Sequence, residues 1–567
     1  MARPLPPVGS FGSMFHSFRT TVAALLIGTM VTATATAAEG RHKLVVLAFG
    51  DDEFAIVDLA KDSGKIVSFQ ERILPMCEVG SVSEKDGVIT VELKQSTGTS
   101  SFKGKADDKG VIKGIFNFRG NPYPAELVKT EADKVAEMKS GQVNRELVAA
   151  LQANAGKGPK DIREAIEGIL RKYEGKPYAN GIYGQYLNLA DQFELKEDEV
   201  KKLLDTWFAS AKTYGDSWYT QTRKAAMNAM NGKKTTAAAL LEMAQEAEKT
   251  IDENADMEGK VEAMTMIASA AKLLDKKDLA DSVNEKLKGY ETKLDENYKQ
   301  KVPPFKPVKV AEKAGARPVV MELFTGAQCP PCVAADVAFD ALADTYAHSN
   351  LILLQYHLHI PGPDPLTNPD ALDRQKYYGE EVGGTPSTFF NGMSEAGGGG
   401  NMARAEVKYG EYREQIDRML QKAPAATVNL SATRKGDKID IEVSAKTAEK
   451  PAEKAKPKLR IVLTEEVVKY VGGNKLRFHH HVVRDMPGGA EGTSLEASGE
   501  VKKTATVDLN TLRGEIESYL SGYEKTRKFA GTKPSTEMKN LSVVAFVQDD
   551  ETKEILGAAQ IEVKDTP

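Results

Sequence analysis

Apolar and polar residues alternate with a period of two from His42 to about Leu127, in "KLVVLAF", "EFAIVDL", "KIVSF", "GVITVEL", "SSFKGKA", "GVIKGIFNF" and "YPAELVK". "KDSG", "EKDG" and "DDKG" punctuate them as turns, so residues 39–130 are expected to form an antiparallel β domain, a small barrel or curled sheet. From Glu131 to about Lys299 the spacing becomes helical. "NRELVAALQANA", "DIREAIEGILRKY", "EDEVKKLLDTWFASAKTY" and "KVEAMTMIASAAKLL" carry apolar residues three and four apart. Residues 131–300 are therefore expected to be an all-α domain of packed helical hairpins. Proline and lysine then dominate 301–317, which reads as a linker.

Residues 318–423 mix a short β run, an amphipathic helix and further strands, the pattern of an α/β module. After Pro424 alternation returns in "ATVNLSATR", "DKIDIEVSA", "LRIVLTEEVV", "LRFHHHVVR", "EVKKTATVDL", "LSVVAFVQD" and "EILGAAQIEV", interrupted by one helix near 512–528. Residues 424–567 are expected to be a β-sandwich. A chain of 567 residues is too long for a single core, which agrees with several domains.

Charge adds a constraint. The formal net charge is -5, with lysine and glutamate interspersed, which gives no general attraction to nucleic acid or anionic lipid. The first residues add another. "MFHSFRTTVAALLIGTMVTATATAAEG" has Arg19, an apolar core from Val22 to Val31, and small residues at Ala35 and Ala37. That is the layout of a secretory leader, expected to span 1–38 and to be cleaved near Ala37 or Ala38. No later segment is long and apolar enough to span a bilayer, so none is expected after cleavage. Export implies a secreted, periplasmic or cell-envelope location, where a disulfide persists.

Three cysteines are present. Cys77, in "ILPMCEVG", stands among apolar neighbours and is expected to be a small buried hydrophobe. Cys329 and Cys332 stand three apart in "VVMELFTGAQCPPCVAADVAFDALADTY", where a β run meets a helix. This places Cys329 at the helix N-cap and Cys332 one turn inside. The helix N-terminus carries about half a positive charge, worth up to ~2 kcal/mol to an anion, and so favours a thiolate. Pro330 and Pro331 suit the first turn but remove two N–H donors, leaving the Cys332 N–H to reach the Cys329 sulfur. The spacing lets Cys332 resolve a mixed disulfide formed at Cys329.

Downstream, "GGTPSTFFNG" places Thr385-Pro386 ahead of an apolar strand. Together with the CPPC at a strand-to-helix junction, this resembles the thioredoxin fold over roughly Pro318 to Ala423. The resemblance implies that Pro386 is cis and faces the cysteine pair, with Thr385-Pro386 holding a substrate backbone. Gln328 stands where that fold usually has tryptophan, and Glu322 is one register out from its usual buried acid. The "ELFTG..C..C" opening and the β-rich tail are similar to the secreted thioredoxin-like family named after an outer-membrane protein of twenty-eight kilodaltons. The first three hundred residues lie outside that resemblance.

Histidines compete for attention. His357 and His359 alternate onto one face of "LLQYHLHIPGPD", at the strand end expected near Cys329. His479 and His481 share a strand face, about 7 Å apart, without an evident third ligand. Satisfied structural histidines are the plainer expectation for both sets.

The pattern as a whole points to an exported thiol–disulfide oxidoreductase using Cys329, Cys332, Thr385 and Pro386, with no cofactor. Its implied partners are disulfide-containing envelope proteins and a redox partner. Two alternatives remain at this level: a binding or assembly protein with a structural disulfide, and copper or zinc handling by Cys329, Cys332 and His359.

Overall fold

The computed structural model describes residues 38–565 apart from 97, 139–140, 528 and 530. The expected leader, all but Ala38 of it, lies outside the described residues. The chain divides into two compact units, Met1–Leu287 and Lys288–Pro567. The architecture is mixed α/β, with three sheets and twelve α-helices among the described residues.

In the first unit, β1 (Gly40–Val46), β2 (Asp52–Leu59), β3 (Gly64–Phe69), β4 (Glu78–Lys85), β5 (Val88–Gln95), β6 (Gly98–Ala106), β7 (Ile112–Phe118) and β8 (Asn121–Lys129) form one sheet. Its order is β3-β2-β1-β8-β7-β6-β5-β4, and every pairing is antiparallel. The alternation gathers Leu44, Val57, Val91, Phe102, Phe116 and Leu127 into one core on one face of the sheet. The "EKDG" turn works because Asp86 and Gly87 both take positive φ, 55° and 72°, as a two-residue hairpin of this twist requires. Cys77 is buried in the same core.

Helices follow: α1 (Gln142–Ala153), α2 (Pro159–Lys172), α3 (Asn180–Asn188), α4 (Glu197–Lys212), α5 (Asp216–Met230), α6 (Ala237–Thr250) and α7 (Met257–Leu273), and then α8 (Lys277–Lys301), whose residues from Lys288 on belong to the second unit. Trp207 anchors α4 to α3. Its indole stacks on Tyr183 at 5.0 Å and donates to Asn180 Oδ1 at 2.6 Å, so its one polar atom is satisfied in the core. Tyr214 then ties these helices to the sheet by donating to Glu126 at 2.8 Å.

The second unit holds β9 (Val319–Thr325), α9 (Val333–Ala343), β10 (Leu351–His357), α10 (Pro369–Tyr378), β11 (Ser387–Phe390), β12 (Met393–Ser394) and α11 (Ala405–Met419). It continues through β13 (Ala426–Lys435), β14 (Lys438–Thr447), β15 (Pro457–Lys469), β16 (Phe478–Asp485), β17 (Thr493–Ser494), β18 (Glu500–Asp508), α12 (Leu509–Thr526), β19 (Leu541–Asp549), β20 (Ile555–Glu562) and β21 (Lys564–Asp565). The segment 302–318 has neither helix nor strand, yet it is bonded along this unit through Val310 N–H to Thr345 O and Arg317 N–H to Lys422 O.

One sheet crosses the boundary expected at 423–424. Its order is β12-β11-β9-β10-β16-β15-β19-β20, with β17 on β15. β9 and β10 are parallel, and β16 joins β10 in parallel through Gln355 and Val482. The seven alternating segments after Pro424 therefore divide: β15, β16, β19 and β20 extend the sheet of the cysteine segment. β18-β14-β13-β21 form a separate four-stranded sheet. Period-two alternation assigns the faces. Val319, Met321 and Leu323 pack on α9 and α11, whereas Val320 and Phe324 pack on α10 with Val462 and Val544. The four-stranded sheet closes over Ile461, Leu463, Val543 and Ala545.

Candidate functional site

Cys329 and Cys332 are joined in a disulfide. Local sequence dictates the turn that holds them. Two consecutive prolines favour a tight first turn, and Pro330–Cys332 is a short 3-10 segment leading into α9. Cys329, in extended conformation, caps that segment, and Cys332 is the N-cap of α9 rather than a residue one turn inside. The Cys332 N–H does not serve the Cys329 sulfur as expected; it donates to the Cys329 carbonyl at 3.1 Å, closing the 3-10 turn.

Thr385 and Pro386 come to this turn from β11's leading edge, through a cis Thr385–Pro386 peptide. The Thr385 hydroxyl lies 3.4 Å from Cys329 Sγ and equally 3.4 Å from the Ile360 carbonyl. Thus Cys329, Cys332, Thr385 and Pro386 are brought together.

Two covers lie over the pair. From one side comes the run Gly397–Gly400: Gly400 N–H donates to the Pro331 carbonyl at 2.6 Å, and Gly400 O accepts from Ala334 N–H at 2.9 Å. Gly399 lies so close that a Cβ there would stand 1.9 Å from Pro331 O and 2.8 Å from Pro386 Cγ. From the other side the β15–β16 loop clamps Ala327 and Gln328. Asn474 N–H donates to Ala327 O at 3.0 Å, Gly473 N–H to Gln328 Oε1 at 3.0 Å, and Gln328 Nε2 to Tyr470 Oη at 3.3 Å. Gln328 is thus a polar latch. Cys329 is left 2% exposed and Cys332 0%.

Glu322 is not part of the site. Sheet parity points it to the α10 face, where it pairs with Arg374 at 2.7 Å and accepts from Tyr378 at 2.5 Å, all fully buried. A different acid occupies the cysteine face. Asp336, four residues beyond Cys332 on α9 and 1% exposed, accepts from Gln355 Nε2 at 3.3 Å, while its second oxygen has no partner. Burial raises its pKa well above the usual carboxylate range; Thr325 opposes this, and the Asp340 and Asp364 charges add to it. The polar chain continues through Gln355 Oε1 and His357 Nε2 (3.1 Å) to Asp364, which accepts from Ala327 N–H at 2.5 Å. The sequence signal for Asp336 was available, since it lies i+4 from Cys332, but a lone acid in an amphipathic helix reads as solvated.

The histidines separate. β10 ends at His357, which is buried between Asp364 and Gln355, while His359 is exposed on the following loop and accepts from Asp364 N–H at 3.2 Å. They do not share a face, because the strand stops between them. His479 is buried against the Tyr470 carbonyl (3.1 Å), and burial with the nearby His357 pushes its pKa down to about 3. His480 and His481 place their Nδ1 atoms 2.9 Å from an Asp340 oxygen and 2.8 Å from a Glu466 oxygen. Burial works to lower the His480 pKa, but the Asp340 carboxylate outweighs it and the net shift is upward. Among the described residues, no group of three or more His, Cys, Asp or Glu side chains is placed to hold a metal. Nor is any helix there long and apolar enough to cross a membrane.

No protein-family model matches the chain, and no curated protein matches it. Solved structures give distant likenesses. HBP35 of Porphyromonas gingivalis is 18% identical over 45% of this chain and 78% of that chain, with a TM-score of 0.32. A domain of the outer membrane lipoprotein Omp28 from Porphyromonas gingivalis is 18% identical over 26% of this chain and 93% of that chain, with a TM-score of 0.17. A beta-glucosidase from Kluyveromyces marxianus is 14% identical over 27% of this chain and 17% of that chain, with a TM-score of 0.13. At such TM-scores none of these likenesses bears on function.

Proposed function

We propose that this chain is an exported thiol–disulfide exchange protein, whose reacting pair sits in a thioredoxin-like module over 318–423. Its substrates would be disulfide-bearing proteins of the cell envelope, met by a unit in which strands from beyond Pro424 share the sheet of the cysteine segment. The observation that carries this reading is the Thr385 hydroxyl at 3.4 Å from Cys329 Sγ, beside Pro386 and one 3-10 turn ahead of α9. A hydroxyl donor and a helix N-terminus both favour negative charge on that sulfur.

In the reducing direction, the Cys329 thiolate attacks one sulfur of a substrate disulfide and expels the other as a thiolate. Cys332, as its thiolate, then attacks Cys329 Sγ, forming the Cys329–Cys332 bond and releasing the second substrate thiol. Two electrons pass to the substrate. A dithiol donor restores the pair by the reverse sequence, and no cofactor is required. Reduction of insulin disulfides by the dithiol form tests this: Cys329→Ser is expected to abolish it, and undiminished activity in that variant refutes the assignment.

One observation favours a second reading. With Cys329 only 2% exposed under two covers, the disulfide serves equally as a permanent staple in a binding or assembly protein. Complete resistance of the bond to a dithiol reductant under native conditions would select this reading.

A further inference from the structure

A cleft of about 800 Å³ opens between the loop after β10 and one face of α12. His359 and Pro363 form one wall; Gly514, Ser518, Tyr519 and Tyr523 form the other, and the face extends from Thr511 to Thr526. Cβ atoms built on Gly514 or Gly522 meet nothing within 4 Å, so the small residues leave space rather than seat a neighbour. The Tyr519 hydroxyl donates to Asp364 O at 2.5 Å and fixes the helix to the loop.

The same loop reaches the cysteines. Ile360, next to His359, offers its carbonyl to the Thr385 hydroxyl that also contacts Cys329 Sγ, and Asp364 receives the Ala327 N–H. One wall of the cleft is therefore continuous with the wall of the sulfur site.

We propose that the cleft binds the polypeptide flanking a substrate disulfide, as an extended segment with an apolar or aromatic centre. This rests on the exchange reading above. The dimensions fit: fifteen helical steps at ~1.5 Å span ~22 Å, the length of about six or seven extended residues at ~3.3 Å each. The chemistry fits as well, because Pro363, the Tyr519 ring and the small residues Gly514, Ser518 and Gly522 line the cleft. One acid, Glu515, is among the lining residues, and the Arg527 guanidinium stands 3.6 Å from where a Gly362 Cβ would lie. Apolar contact with a half-open groove suits a peptide chain.

Fluorescence anisotropy of the full chain with a labelled, cysteine-free ten-residue peptide centred on Phe-Leu-Phe tests this without any redox step. Saturable binding is expected, absent with a Gly-Ser peptide of equal length. It should weaken at least tenfold in Ser518→Trp and in Gly522→Leu, two exposed positions whose substitution leaves the helix core intact. Equal binding by wild type and both variants, or no binding at millimolar peptide, overturns the proposal. So does occlusion of the cleft by a second copy in sedimentation. Failure of insulin reduction with intact peptide binding would instead strike the exchange reading alone.

Discussion

Gly399→Ala should loosen the cover over the cysteines and make Cys329 reactive. A Cβ at that position would stand 1.9 Å from Pro331 O, so the strap must retreat by more than an ångström. Retreat breaks the Gly400 N–H to Pro331 O bond and disturbs the Ala334 N–H to Gly400 O bond. At about 1 kcal/mol net for each, closure is weakened by ~2 kcal/mol. With tenfold per 1.4 kcal/mol, the open population rises ~30-fold. The assay is the rate of iodoacetamide addition to Cys329 after reduction, read by mass spectrometry. If strap opening is fast relative to alkylation, the rate follows that population and should rise ten- to thirtyfold. A rate within twofold of wild type, in a variant that still melts cooperatively, would refute the idea that the glycine run gates the sulfur.

Other expectations follow from the buried charges. Arg374→Met leaves the Glu322 carboxylate buried without its partner and should cost about 3–5 kcal/mol in urea unfolding. Glu322→Leu combined with Arg374→Met should cost much less; equal losses would contradict a compensated pair. Asp485, pushed up to about 7 by burial and then by Asp370, holds its proton in the folded state to higher pH than in the unfolded chain. Its contribution is full below about pH 4 and drains away as pH rises through 7. Asp485→Asn should therefore narrow the drop in Tm between pH 5 and pH 8, and an unchanged drop would argue against it. Cys77, its thiol pushed up to about 11 by burial and then by the Glu78 charge, should resist alkylation at pH 8 in the native protein. Rapid labelling would expose it as a reactive thiol.

How much of this was legible in the sequence depends on range. The period-two segments and helical runs were readable because their periodicity is local: "EKDG" predicts a hairpin turn, and Asp86 and Gly87 make it with positive φ. The cysteine pair, Thr385 and Pro386 were readable as types at a spacing. What covers them was not. The β15–β16 loop reaches Gln328 across more than 140 residues, and no local pattern announces that Gly473 will bond it. The run Gly397–Gly400 reads only as a loop, although Gly399 must lack a Cβ to lie against Pro331. Strand pairing hid the same way: β16 joins β10 in parallel over a long separation, so alternation after Pro424 did not reveal which strands belong to which sheet. Glu322 and Asp336 differ by sheet parity and helix phase, which sequence spacing gives only once the partners are known.

Equilibration with glutathione buffers is the most direct test of whether the Cys329–Cys332 pair exchanges electrons. A disulfide that turns over is expected to balance at a reduction potential above about -300 mV, within reach of dithiol partners. A bond that stays oxidised well below about -300 mV would mark a fixed staple and contradict the account.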